Sequence, residues 1–138
     1  MNLPTTVALV AVAAGGAIGS VLRFLTGGWV ASRMMAGHPE MALPVATMLV
    51  NVAGSFLIGL LIAWMEQFVR DPALRDGLRA FLIVGVLGGF TTFSTFSLET
   101  VQLIEYGLWG KALLNIIASA TLCVAAAFAG LALMRWLV

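Results

Sequence analysis

Charge is what this chain has least of. Of its 138 residues only 9% are charged, seven Lys and Arg against six Asp and Glu, with a single histidine beside them. A soluble domain of this size carries roughly 25% charged residues, so a water-exposed globule is excluded. The one cysteine, Cys123, excludes an intrachain disulfide and says little about redox compartment. Six scattered carboxylates, one histidine and one thiol supply neither a metal-ligand spacing nor a nucleophile beside a base, which leaves no visible enzyme site. His38, in a turn beside Pro39, reads as a solvated loop residue rather than a ligand. A net charge of +1 gives no electrostatic footprint for nucleic acid. The opening "MNLPTT" has no Lys or Arg, so the small-residue stretch "AVAAGGA" behind it reads as a span and not as a secretory signal.

What the chain has in excess is apolar surface. Hydrophobic residues make up 62% of it, and the mean hydropathy is +1.08. Four uncharged runs stand out: Leu3–Leu22, Met41–Met65, Ala80–Leu98 and Ala112–Met134. Each has about the length that crosses a bilayer core, roughly 20 residues at about 1.5 Å per residue. Only helices or closed barrels satisfy their backbone in lipid, and continuous apolar runs favour helices. The expectation is an all-α membrane protein of four transmembrane helices, one domain over residues 1–138.

Finer signals place the ends and contacts of these helices. Gly15, Gly16, Gly19 and Ser20 form a small-xxx-small pattern that lets helix 1 approach a neighbour closely. Pro39 and Pro44 bracket the start of helix 2, with "GHPEM" read as a turn. Asp71-Pro72 is a plausible helix start, and Tyr106, Gly107 and Trp109 close helix 3 at an interfacial belt before Lys111. "GVLGGF" is no dinucleotide fingerprint, because no strand precedes it. Thr47, Asn51, Ser55 and Gly59 recur every four residues on one face of helix 2, as do Asn115, Ser119 and Cys123 on helix 4. Polar side chains in a membrane point into protein or water. Such lines serve either interhelical hydrogen bonding or a lined pathway.

Orientation rests on basic residues. Four spans put Arg70, Arg75, Arg79 and Arg135 on one side, and Arg33, Lys111 and Arg23, near the end of helix 1, on the other. Four against three is almost no bias, so the positive-inside rule does not choose a direction. Insertion both ways is expected, and with it an antiparallel homodimer.

The most informative stretch is residues 88–97, "GGFTTFSTFS". Gly88-Gly89 weakens a helix, and the following Thr and Ser side chains can hydrogen-bond backbone groups freed there. Non-helical backbone at membrane depth is tolerated only inside protein or along a cavity. A break in helix 3 at these glycines would bare carbonyl oxygens, which suit a hard cation such as Na⁺. Phe90, Phe93 and Phe96 bring rings with a positive edge, which can favour a small anion. Glu99 directly follows; it reads as a proton- or cation-coupling site or as a hydrogen-bond anchor near a helix end. Arg23 reads as a snorkelling anchor or as a lure for anions at a vestibule. Physics alone leaves a small anion and a coupled cation both open.

"GGAIGSVLRF", "NVAGSFLIG" and above all "GGFTTFSTFSLET" resemble the Fluc (CrcB) fluoride channels, in motif order and over essentially the whole chain. The resemblance implies a passive fluoride channel that exports cytoplasmic fluoride across a bacterial inner (plasma) membrane. It implies a dual-topology antiparallel homodimer with two pores and a central structural Na⁺. By the same resemblance, backbone oxygens of Gly88 and Thr91 hold the Na⁺, and Phe93 and Phe96 are the pore rings. Asn51 is a donor at the pore, Arg23 the vestibule arginine, and Thr47, Ser119 and Glu99 fall on the polar track. Asn115 stands where a helix 4 tyrosine is expected in some members. The implied partners are a second copy, fluoride and lipid. The rival of similar size is a dual-topology small multidrug transporter, but helix 1 has no carboxylate to bind cations and protons. A purely structural membrane assembly protein is a second rival, disfavoured by the hydroxyl-rich third helix.

Overall fold

The computed structural model describes residues 4–35, 37 and 39–138, so His38 and the first residue of the Leu3–Leu22 run lie outside the described residues. The described elements are helices α1 (Thr5–Met34), α2 (Pro39–Phe68), α3 (Pro72–Leu78), a π-helical segment (Arg79–Leu87), α4 (Gly88–Phe90), α5 (Phe93–Glu105) and α6 (Trp109–Leu137). The third membrane crossing is thus made of four consecutive pieces, Pro72 to Glu105, and among the described residues four helical spans are long and apolar enough to cross a membrane.

The spans outrun the uncharged runs. α1 continues twelve residues past Leu22 to Met34, about 45 Å in all. Arg23 therefore stands eleven residues before the end of α1, about 16 Å along its axis, and not near a helix end. It is half-buried. A charge does not terminate a membrane helix when its side chain can turn towards a polar cavity. "GHPEM" is likewise only in part a turn, because Pro39, Glu40 and Met41 already belong to α2 and Pro44 sits inside it.

The caps follow the local chemistry. Asp71 accepts the Ala73 amide at 2.9 Å and Pro72 occupies the first turn, where its missing N–H costs nothing. At the other end Gly107 takes φ +72°, a left-handed turn that an L side chain resists, and the Leu108 amide returns to the Leu103 carbonyl at 2.8 Å.

Two helix pairs make the bundle. α2 packs most extensively on α6, and α1 on the π-helical segment. Both contacts are backbone-close. A Cβ at Gly19 would collide with the Val86 carbonyl, and one at Gly130 with the Phe56 carbonyl. Gly59, on the polar line of α2, belongs to the second crossing, where its missing Cβ makes room for the Ala127 carbonyl. Without a hydrophobic drive between helices in lipid, such close packing supplies the association energy. Lys111–Glu40, half-buried, and Arg135–Glu66 (3.5 Å), exposed, tie the two ends of the α2–α6 pair, the exposed one adding up to about 1 kcal/mol. The buried core is small, mostly alanine, while Phe24, Phe93, Phe128 and Trp136 are more than two-thirds exposed. That inversion suits a lipid environment, not water.

Candidate functional site

The site is built around two residues that leave the helix. α4 ends at Phe90, and Thr91 (φ −83°, ψ 157°) and Thr92 (φ −153°, ψ 118°) are extended before α5 starts at Phe93. Gly88 and Gly89, where the sequence suggested the irregularity, are themselves helical. At Gly89 the absent side chain serves packing instead: a Cβ there would lie 2.6 Å from the Gly16 carbonyl of α1.

Two extended residues in the middle of the third span leave polar backbone to satisfy, and an amide from α2 does so. Asn51 Oδ1 accepts the Thr92 amide at 2.8 Å, and Asn51 Nδ2 donates to the Thr92 carbonyl at 3.0 Å. A side-chain amide has the geometry of a peptide group, so Asn51 stands in for a missing strand or helix partner. Leaving both groups unmade would cost about 1–3 kcal/mol each. Thr92 Oγ1 then caps α5, accepting the Thr95 amide at 3.3 Å and joining Thr95 Oγ1 at 3.0 Å and Ser94 Oγ at 3.3 Å. Thr91 Oγ1 donates back to the Leu87 carbonyl at 2.9 Å, and Ser97 Oγ to that of Phe93 at 2.9 Å. The hydroxyls of "TTFSTFS" are therefore engaged with local backbone or with one another.

The same bonds release two carbonyls. The Thr92 amide, which an uninterrupted helix would direct to the Gly88 carbonyl, goes to Asn51. The Thr95 amide, due at the Thr91 carbonyl, goes to the Thr92 hydroxyl.

Two cavities flank Thr92. One, about 350 Å³, is lined by Asn51, Gly88, Thr92, Phe93, Phe96 and Ser119, with Cys123 at its edge. The other, about 440 Å³, is lined by Ser20, Arg23, Thr47, Thr92, Thr95 and Glu99. All seven pathway residues named from the sequence thus fall on two spaces that share one wall. Phe93 and Phe96 touch, ring centroids 5.4 Å apart and planes tilted 47°. They face differently: Phe93 is 79% exposed on the protomer, Phe96 half-buried. Glu99 is buried, and Thr47 Oγ1 donates to its Oε1 at 2.8 Å. Its Oε2 has no hydrogen-bond partner among the described residues.

Sequence reasoning missed Thr92. It carries the cap of α5, the clamp to Asn51 and the wall between the cavities. The available signal was a threonine three residues before Thr95 at the head of an apolar-periodic segment, the position an N-cap occupies.

The chain matches the family model described as CrcB-like protein, Camphor Resistance (CrcB), over residues 10–131. It is 50% identical over 127 residues to the fluoride-specific ion channel FluC of Rhizobium meliloti (strain 1021), covering 92% of this chain and 95% of that one. The protein of the same name from Agrobacterium fabrum (strain C58 / ATCC 33970) is 52% identical over 124 residues, 90% of this chain and 93% of its own. That of Rhodospirillum centenum (strain ATCC 51521 / SW) is 52% identical over 128 residues, 92% and 94% respectively. Matched over most of its length by the model and by relatives at about half identity, this chain belongs to the CrcB-like family.

Proposed function

We propose that the chain is one protomer of a passive, fluoride-selective channel in a bacterial inner (plasma) membrane, releasing cytoplasmic fluoride and catalysing no reaction. The protomers form an antiparallel, dual-topology homodimer with two pores and a structural Na⁺ at the irregular third crossing. The observation that carries this reading is the Thr91–Thr92 interruption, repaired by Asn51 and opening on cavities lined by hydroxyls and phenyl rings. The names of the relatives supply the ion.

An anion enters by the cavity of Arg23, whose fixed positive charge sits within the span. Glu99 shares that cavity and offsets Arg23, so the anion is drawn in without being trapped; conduction needs binding that is favourable yet escapable. Beyond Thr92, the second amide hydrogen of Asn51 and the ring edges of Phe93 and Phe96 replace part of the water shell with neutral, positively polarised groups. Phe93, exposed on the protomer, completes its surroundings against a second copy. Trapped anion is sufficient cargo, because HF crosses lipid and dissociates inside the cell.

The residues present fit Na⁺. Gly88 and Thr91 are two of the four residues, 88 to 91, whose carbonyls lose their helical donors where α4 ends, and carbonyl oxygens suit a hard monovalent cation. When bound there, Na⁺ supplies fixed positive charge and a tie between protomers. Within one protomer a Cβ on Gly88 would meet only the Ile83 carbonyl, at 3.7 Å, an ordinary contact. Gly88→Val is therefore expected to leave the protomer folded yet weaken the dimer and its flux. Exchanging Na⁺ for a much larger cation is expected to lower flux in the unaltered protein. Size-exclusion profiles and efflux rates check both, and a Gly88→Val dimer of normal stability and flux refutes the site.

The proposal as a whole is tested in proteoliposomes by comparing efflux of fluoride, chloride and drug cations. Fluoride efflux alone is expected. Drug-cation efflux without fluoride flux would instead identify the small multidrug transporter.

A further inference from the structure

Three buried side chains cross the α5–α6 contact as one hydrogen-bonded chain. Thr100 Oγ1 donates to the Phe96 carbonyl at 2.7 Å, and Asn115 Nδ2 donates to Thr100 Oγ1 at 2.9 Å. Ser119 Oγ donates to Asn115 Oδ1 at 3.5 Å. Thr100, Asn115 and Ser119 are each less than a tenth exposed.

The direction of this chain is forced. Thr100 has one hydroxyl proton, committed to the Phe96 carbonyl, so towards Asn115 it can only accept. Asn115 must then turn its NH₂ to α5 and its Oδ1 to Ser119. Ser119 also has a single proton, and Asn115 holds it. Yet Ser119 lines the cavity of Asn51, Phe93 and Phe96. At rest it shows that cavity lone pairs only, the wrong polarity for an anion. The two bonds nearer α5 are short, whereas the one to Ser119 lies at the outer limit of hydrogen-bond distance. A hydroxyl hydrogen turns about its C–O bond to suit its partner. The weakest link in the chain is thus the one an anion in the cavity can break.

We propose that Asn115 is a positioning residue that sets the affinity of the pathway, competing with the entering anion for the Ser119 hydroxyl proton. This rests on the fluoride reading above. Asn115 itself never touches the ion. It determines how readily Ser119 becomes a donor.

The test is a double-mutant comparison in proteoliposomes, reading the fluoride concentration at half-maximal efflux for the wild type, Asn115→Leu, Ser119→Ala and the double variant, with dimer content checked for each. Ser119→Ala is expected to raise that concentration. Asn115→Leu is expected to lower it roughly threefold, the scale of one weak hydrogen bond, by freeing the proton. In the Ser119→Ala background, where there is no proton to compete for, Asn115→Leu is expected to change nothing. Equal shifts in both backgrounds, or no fall in the presence of Ser119, overturn the competition and leave Asn115 a packing residue. No effect of Ser119→Ala overturns the pathway reading at this cavity and the proposal with it. Should Asn115→Leu fail to assemble, Asn115→Ala, which needs no extra room, enters the same comparison with the same outcomes.

Discussion

Phe93→Ile and Phe96→Ile are each expected to cut fluoride flux by roughly tenfold or more, about 1.4 kcal/mol of lost interaction per decade, while the dimer still assembles. Isoleucine keeps apolar bulk but removes the positive ring edge. The two rings touch and line one cavity, yet Phe93 is mostly exposed on its own protomer while Phe96 is half-buried. Three residues apart on a helix, they share a face but stand about 60° apart around its axis. In the proposed antiparallel dimer one protomer offers Phe93 to one pore and Phe96 to the other, so each pore receives both. Phe90 supplies the control, because its ring packs beside Gly54 of α2 and is absent from the lining of that cavity. Phe90→Ile should do much less. Efflux from the three purified variants, with dimer content measured for each, decides between ring edges and packing. Equal loss at all three positions, or tolerance at all three, removes the rings from the mechanism.

Adding two or three lysines within residues 66–79, around the turn from α2 to α3, is expected to fix one orientation and nearly abolish activity of the variant expressed alone. With Arg23 inside the span, the loop-side balance is Arg70, Arg75, Arg79 and Arg135 against Arg33 and Lys111. Extra lysines lie within the short distance from a span end over which basic residues set topology, so that side becomes cytoplasmic. An antiparallel dimer then loses half of its partners' orientations. Co-expression with a variant biased the opposite way should restore fluoride efflux. Full activity of the first variant alone means that antiparallel assembly is not required.

Four spans were legible because burial in lipid is a local property: a run without charge declares itself residue by residue, whatever it packs against. The Asp71-Pro72 cap and the Gly107 turn were legible for the same reason, since each is satisfied by neighbours within a few positions. So was the specific motif "GGFTTFSTFSLET", which pointed to the family before any geometry. Phase along the third crossing was harder to read, because the π-helical segment changes the turn and so shifts every face that follows.

Distant partners decided the rest. Asn51 reaches a backbone 41 residues away, and Thr47 a carboxylate 52 residues away. No local pattern distinguishes an asparagine facing an ion from one replacing a lost helical bond. The same applies to the site of the irregularity. Glycines 88 and 89 looked like the weak point but are helical, Gly89 in close contact with α1, while Asn51 gives the extended Thr92 backbone its partner. Spans and motif were thus written in consecutive residues, whose solvation each can be judged alone. Which carbonyls are free, which protons are committed and where Arg23 sits depended on pairings between helices, and a buried polar group takes its role from the partner that the fold delivers.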